Sequence, residues 1–111
     1  MAIVAKTLIA SKNIENAQTV QYVAANVTTI IDKFTATNFS SGIINVSINL
    51  ATTNEATGNS NLIVKTKTLQ PGETYTFPEI VGHILSSGDY ISTLASASSA
   101  ANMRASGREI S

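Results

Sequence analysis

The residues with chemical potential in this chain crowd into one segment, residues 69–85, "LQPGETYTFPEIVGHIL". It holds Glu73, Glu79 and His83, the only histidine present. A histidine beside two carboxylates is the minimum set for moving a proton to and from a substrate. The surrounding residues favour a scaffold role instead. Glu73 follows a Pro-Gly turn, where side chains point to water. Pro78 and Glu79 resemble the first turn of a helix, with proline at its opening and an acid near its positive end. Ile80 and Ile84, and Val81 and Leu85, are four residues apart, so the spacing predicts a short helical turn near 78–85 that buries aliphatic side chains. His83 then lies at its side. A zinc-type site would need more nitrogen or sulfur ligands than one histidine and no cysteine supply. Serines are plentiful, but no nucleophile elbow of the form GxSxG occurs, and no glycine-rich loop leads into a helix. No residue is therefore assigned as catalytic, cofactor-binding or metal-binding, and neither a cofactor nor a small-molecule substrate is expected.

The elements that would carry such residues follow from composition. The chain has 111 residues, seven basic and seven acidic side chains and no cysteine. This length predicts a single domain, 1–111, able to bury a substantial core. A small secreted domain often relies on disulfides, so their absence predicts synthesis in a reducing cytoplasm. The opening residues lack a basic lead before a long apolar run, so no signal peptide is expected. No stretch approaches the length of a membrane helix. The charges cancel and are spread along the sequence, unlike the concentrated basic footprint of a nucleic-acid binder. Zero net charge also gives little protection against self-association, which suits a subunit of an assembly.

About a third of the residues are Ser, Thr or Asn, and β-branched residues are abundant. That is a β composition. The clearest strand is "GIINVSINLA", with Ile44, Val46, Ile48 and Leu50 on one face and Asn45, Ser47 and Asn49 on the other. Ahead of it, "VTTIIDKFTATNF" places Ile30, Phe34 and Ala36 on the buried side, and "NFSSG" between them reads as a hairpin turn. "LIVKTKTL" turns Leu62, Val64 and Thr66 inward and Lys65 and Lys67 outward, and "ETYTF" puts Tyr75 and Phe77 on one face. Strands are also expected in "AIVAKTLI", "TVQYVAA", "YISTLAS" and "AANMRASGREI". About eight short strands at close spacing predict an all-β fold, a small jelly-roll-like antiparallel β-sandwich. Two stretches find no partner in this pattern: residues 1–16, expected as an extended N-terminal arm, and the polar loop 51–61. The polar row Asn45, Ser47 and Asn49 suggests a sugar-binding surface as an alternative, although the few aromatics fall mostly on inward positions.

Three segments carry a resemblance: "TIIDKFTATNFSSGIINVSINL", "NLIVKTKTLQPGETYTFPEIVGHILSSGDYISTLAS" and "ANMRASGREI". Together they resemble small virion proteins of tailed phages, above all the staple or cement proteins, epsilon15-like, that decorate the capsids of short-tailed bacteriophages. The likeness runs from about Val27 to Ile110. It implies a jelly-roll fold without catalysis, placed on the outer capsid surface after synthesis in the host bacterial cytoplasm. It further implies homodimers that bind the major capsid protein and clamp its neighbouring copies together, with no nucleic-acid or membrane partner. Related neck and tail accessory proteins share such turns and remain an alternative. On this view the arm 1–16 and the loop 51–61 are the contact elements.

Overall fold

The computed structural model describes residues 2–111. Nine strands follow one another: β1 (Ile3–Asn13), β2 (Thr19–Val23), β3 (Thr28–Asn38), β4 (Ile44–Ala51), β5 (Leu62–Leu69), β6 (Thr74–Tyr75), β7 (Ile84–Leu85), β8 (Tyr90–Ala95) and β9 (Ala101–Ile110). They form two antiparallel sheets. The first has the order β1-β9-β3-β6, with β7 also paired to β3, and the second has the order β2-β8-β4-β5. Successive strands alternate between the sheets, except for β4 and β5 and for the short β6 and β7. This is the strand order of a jelly roll.

The two inner faces supply the core. Ile44, Val46 and Ile48 of β4 are buried, as their alternation predicts. Phe34 and Ala36 of β3 and Met103 and Ala105 of β9 belong to the same buried cluster, contributed by the opposite sheet. Phe34 and Phe77 meet edge-on, with ring centroids 5.3 Å apart, an arrangement that suits the ring quadrupoles. Each fully buried side chain of this size contributes about 1.5–3 kcal/mol.

Several expectations need correction. "NFSSG" does not close a hairpin, because β3 and β4 lie in different sheets and the segment crosses between them. Ile31, not Ile30, is buried. The register of β3 against β9 slips between Ile31 and Lys33, so one extra residue in β3 shifts the inward parity before Phe34. Thr66 is exposed with φ +52, a kink in β5 that turns it outward. Leu50 is only half-buried while Asn49 is buried, again beside a register shift. Residues 78–85 form no helical turn. Two successive tight turns occur instead, with Ile80 N donating to Phe77 O at 3.0 Å and His83 N donating to Ile80 O at 3.2 Å. Positive φ at Phe77 and Gly82 interrupts the run of right-handed residues that a helix needs. The one helical stretch among the described residues is a 3-10 turn at Asn59–Asn61.

Residues 2–16 are no free arm, and Met1 lies outside the described residues. Ile3–Asn13 pairs with β9 along its length, and Leu8, Ile9 and Ile14 enter the core. The loop 51–61 is also tied down. Asn49 Nδ2 donates to Asn61 Oδ1 at 2.7 Å, and Asn61 Nδ2 donates to Ala56 O at 2.9 Å. These bonds explain how both asparagines are tolerated in buried positions.

Candidate functional site

Glu73, Glu79 and His83 do not converge. Glu73 turns back to accept from Gln70 N at 2.7 Å, closing its own Pro-Gly turn. Glu79 accepts from the Tyr75 hydroxyl at 2.8 Å, and this bond raises the Tyr75 pKa. His83 is exposed, and its backbone carbonyl accepts from Ile31 N at 3.1 Å. The segment that looked most chemical is a connector that covers one edge of the first sheet.

The other acids are similarly engaged. Asp32 pairs with Arg108 through two bonds of 3.0 Å, and Glu15 pairs with Lys12 at 2.8 Å. Glu55 accepts from Thr52 N, and Asp89 accepts from Ser86 N and Thr53 N. Glu109 accepts from Lys6 at 3.2 Å and from the hydroxyl of Tyr22. Each of the seven acidic side chains thus accepts a bond within the fold. Among the described residues no group of three His, Asp or Glu side chains is placed to hold a metal ion. The row Asn45, Ser47 and Asn49 does line a shallow groove in part, together with Gln18 and Asn59. Its amides bond to one another, with Gln18 Nε2 3.4 Å from Asn49 Oδ1 and 2.7 Å from Ser92 Oγ. No aromatic ring lines that groove, although sugar-binding platforms usually offer one.

What the fold displays lies at the end where β3 crosses to β4. Phe39 and Ile43 flank the Ser-Ser-Gly turn with 56% and 59% of their surface exposed. Between them and the core sits Asn38, fully buried. Its Nδ2 donates to Gly42 O at 2.7 Å and to Leu69 O at 3.0 Å. Its Oδ1 accepts from Ser40 N at 2.9 Å and from Ser40 Oγ at 2.7 Å. Phe39 N donates to Ala100 O, and Gly72 N donates to Asn38 O. A single residue, through its side chain and its backbone, therefore pins the crossover, the 70–73 turn and the start of β5's exit into one rigid tip. Apart from Glu73, whose carboxylate is folded onto Gln70, the loops 39–43, 70–73 and 96–100 carry no charge. Sequence reasoning took "NFSSG" for an ordinary turn and missed this tip. The available signal was the pair of large apolar residues on either side of a turn that needs neither.

Comparisons with protein-family models, with curated proteins and with solved structures found no match to this chain.

Proposed function

We propose that this protein is a non-enzymatic virion structural component that binds the outer capsid surface and clamps neighbouring major capsid proteins together, acting as a homodimer. The sequence resemblance to phage staple proteins motivates the identity of the partner. The observation that carries the binding role is the tip: two large apolar side chains held in the open by a fully satisfied buried asparagine. Interface energy concentrates in a few preorganised apolar anchors surrounded by neutral contacts. A rigid tip loses little entropy on docking, and with its one charge, Glu73, folded onto Gln70, it leaves few ions to desolvate. The contact role expected of residues 1–16 and of the loop 51–61 passes to Phe39 and Ile43, because residues 3–14 and the loop are tied into the fold. A clamp of this kind stabilises particles by binding the assembled shell better than free subunits.

The test uses particles prepared without this protein. Added wild-type chain should co-sediment with the shells and raise their melting temperature. A variant carrying Phe39→Ser and Ile43→Ser should keep its far-UV circular dichroism but lose both effects. Failure of the wild-type chain to bind shells, or its fractionation with necks and tails instead, would overturn the capsid reading.

A further inference from the structure

The two sheets have free edges at β1, β2, β5 and the side of β3 covered by β6 and β7. Most of these edges are protected. β5 carries Lys65 and Lys67 around the kink at Thr66, whose N–H is taken by Ser47 Oγ at 3.0 Å. β2 has five residues and a register shift, and β6 and β7 have two residues each. Short, kinked or lysine-bearing edges resist pairing with other strands. The first half of β1 differs, because its one lysine, Lys6, is paired with Glu109. From Ile3 to Thr7 it pairs with β9 without any shift, and it contains neither proline nor glycine. All five of its residues are exposed, with Ile3 at 59% and Val4 at 54%.

The hydrogen-bond parity of this stretch is fixed by the terminal pair. Ala2 N donates to Ser111 O, and Ser111 N donates to Ala2 O, so Ala2 and Ser111 form a hydrogen-bonded pair. Such pairs alternate along an antiparallel ladder. Val4 and Lys6 therefore direct their backbone groups to β9, whereas Ile3, Ala5 and Thr7 direct theirs to the open edge.

We propose that this edge pairs with the same edge of a second copy, antiparallel and with the twofold axis at Ala5. The proposal gives an interface to the homodimer put forward above and rests on that reading. In this register Ile3 faces the partner's Thr7, Ala5 faces the partner's Ala5, and Val4 faces the partner's Lys6. All three outward residues are used from both sides, closing about six backbone hydrogen bonds. Lysine never opposes lysine, as it would if the axis passed through Lys6, a pairing that destabilises a ladder. Lys6 is already neutralised by Glu109, so no bare charge enters the seam. The self-complementarity favours a second copy over an unrelated strand, because the same patch satisfies both sides. β1 runs from the chain termini toward the tip, so antiparallel pairing sends the two tips in opposite directions. The dimer is then a two-headed clamp.

The absence of cysteine makes the register directly testable. Ala5→Cys should form a disulfide-linked dimer under mild oxidation, since the two side chains would face each other within bridging distance. Ser11→Cys, on the same strand but outside the regular stretch, should not. Ala5→Pro removes an N–H that faces the open edge, not β9, and edge strands tolerate proline. It should keep the circular dichroism spectrum and sediment as a monomer. A wild-type dimer that neither cross-links through Ala5→Cys nor dissociates on Ala5→Pro would overturn this interface while leaving the homodimer intact. A wild-type chain that sediments as a monomer at every concentration would overturn both.

Discussion

The two ends of the sandwich are built from different materials. At the tip end, the crossover 39–43 and the loop 96–100 are held by amide and hydroxyl groups, and the one carboxylate there, Glu73, closes only its own turn on Gln70 N. Asn38 makes four side-chain hydrogen bonds there, and Thr68 Oγ1 reaches Asn45 Oδ1 at 2.9 Å. At the end near the chain termini, charged groups bridge the strands. Lys6 and Glu109 join β1 to β9, Arg108 and Asp32 join β9 to β3, and Asp89 holds the 86–89 turn and Thr53. Neutral hydrogen bonds to buried groups are insensitive to pH and salt, whereas exposed ion pairs are screened and titrate. The tip end should therefore keep its shape under conditions that loosen the other. A docking surface gains from being the invariant half.

The largest effect should come from disturbing the close packing of the terminal end. A Cβ built at Gly107 would lie 2.1 Å from the Ile30 carbonyl oxygen and 2.9 Å from Leu8 Cδ1. The first neighbour is backbone and cannot swing aside. Gly107→Val should cost about 3 kcal/mol or more, the upper range for overpacking. Amide exchange should accelerate first in β1 and the facing half of β3, while the tip amides of Phe39 and Gly72 lag behind. Unchanged urea denaturation of this variant would show that β9 and β3 can separate freely, and the contrast between the ends would lose its packing basis.

The second effect strikes the neutral end. Asn38→Ala strips a donor from the buried carbonyl of Leu69 and another from the carbonyl of Gly42, and it takes the acceptor from Ser40 N. Unpaired buried groups of this kind cost about 2–3 kcal/mol together. The loss should be the same at low and high salt, and the same at pH 5 as at pH 8, because no ionisable group takes part. A salt-dependent penalty, measured by denaturation at two ionic strengths, would mean that the tip leans on charges after all.

The architecture was legible where local pattern and tertiary need agree. The alternation in "IINVSINL" and the Pro-Gly turn at 71–72 identify a strand and a turn because neither depends on distant partners. What escaped depends on them. The extra residue near Asp32 swaps Ile30 for Ile31 in the core, and nothing in "TIIDKF" marks which isoleucine faces in until β9 fixes the register. "NFSSG" has turn chemistry for a hairpin or for a crossover alike, and only the jelly-roll order decides. Asn49 and Asn61 look solvent-facing until each supplies the other's missing bond. The tip was hidden for a related reason: Asn38 reads as polar surface, yet it is the fully buried post on which Phe39 and Ile43 are displayed.

The smallest of these effects concerns the one place where the terminal end carries its electrostatics inward. Tyr22 belongs to β2 in the second sheet, but its hydroxyl donates to Glu109 of β9 and accepts from Thr29 of β3, 2.7 Å away. Thr29 is fully buried, and Lys6 completes the cluster from β1. Burial, and then the Glu109 carboxylate, push the Tyr22 pKa up to about 12 from 10.0. The bond from Tyr22 in turn lowers the Glu109 pKa from 4.5, with help from Lys6. The signs of the two linkages are opposite. Glu109 is lowered in the folded state, so its contribution is present above about pH 4.5 and fades as pH falls through the lower folded value. Tyr22 is raised, so its contribution is complete below about pH 10 and fades between pH 10 and about 12. Stability from this cluster should thus form a plateau with an acid and an alkaline shoulder. Tyr22→Phe should cost about 1.5–2 kcal/mol at neutral pH, the low end for a hydrogen bond to a charged group. It should also erase this cluster's alkaline shoulder and shrink the acid one, leaving the part that Lys6 sustains. Melting curves from pH 3 to about pH 12 would read both. If the variant kept the full alkaline shoulder, Tyr22 would not be the group that links the two sheets at this end, and the charged half of the molecule would owe its cohesion to its surface pairs alone.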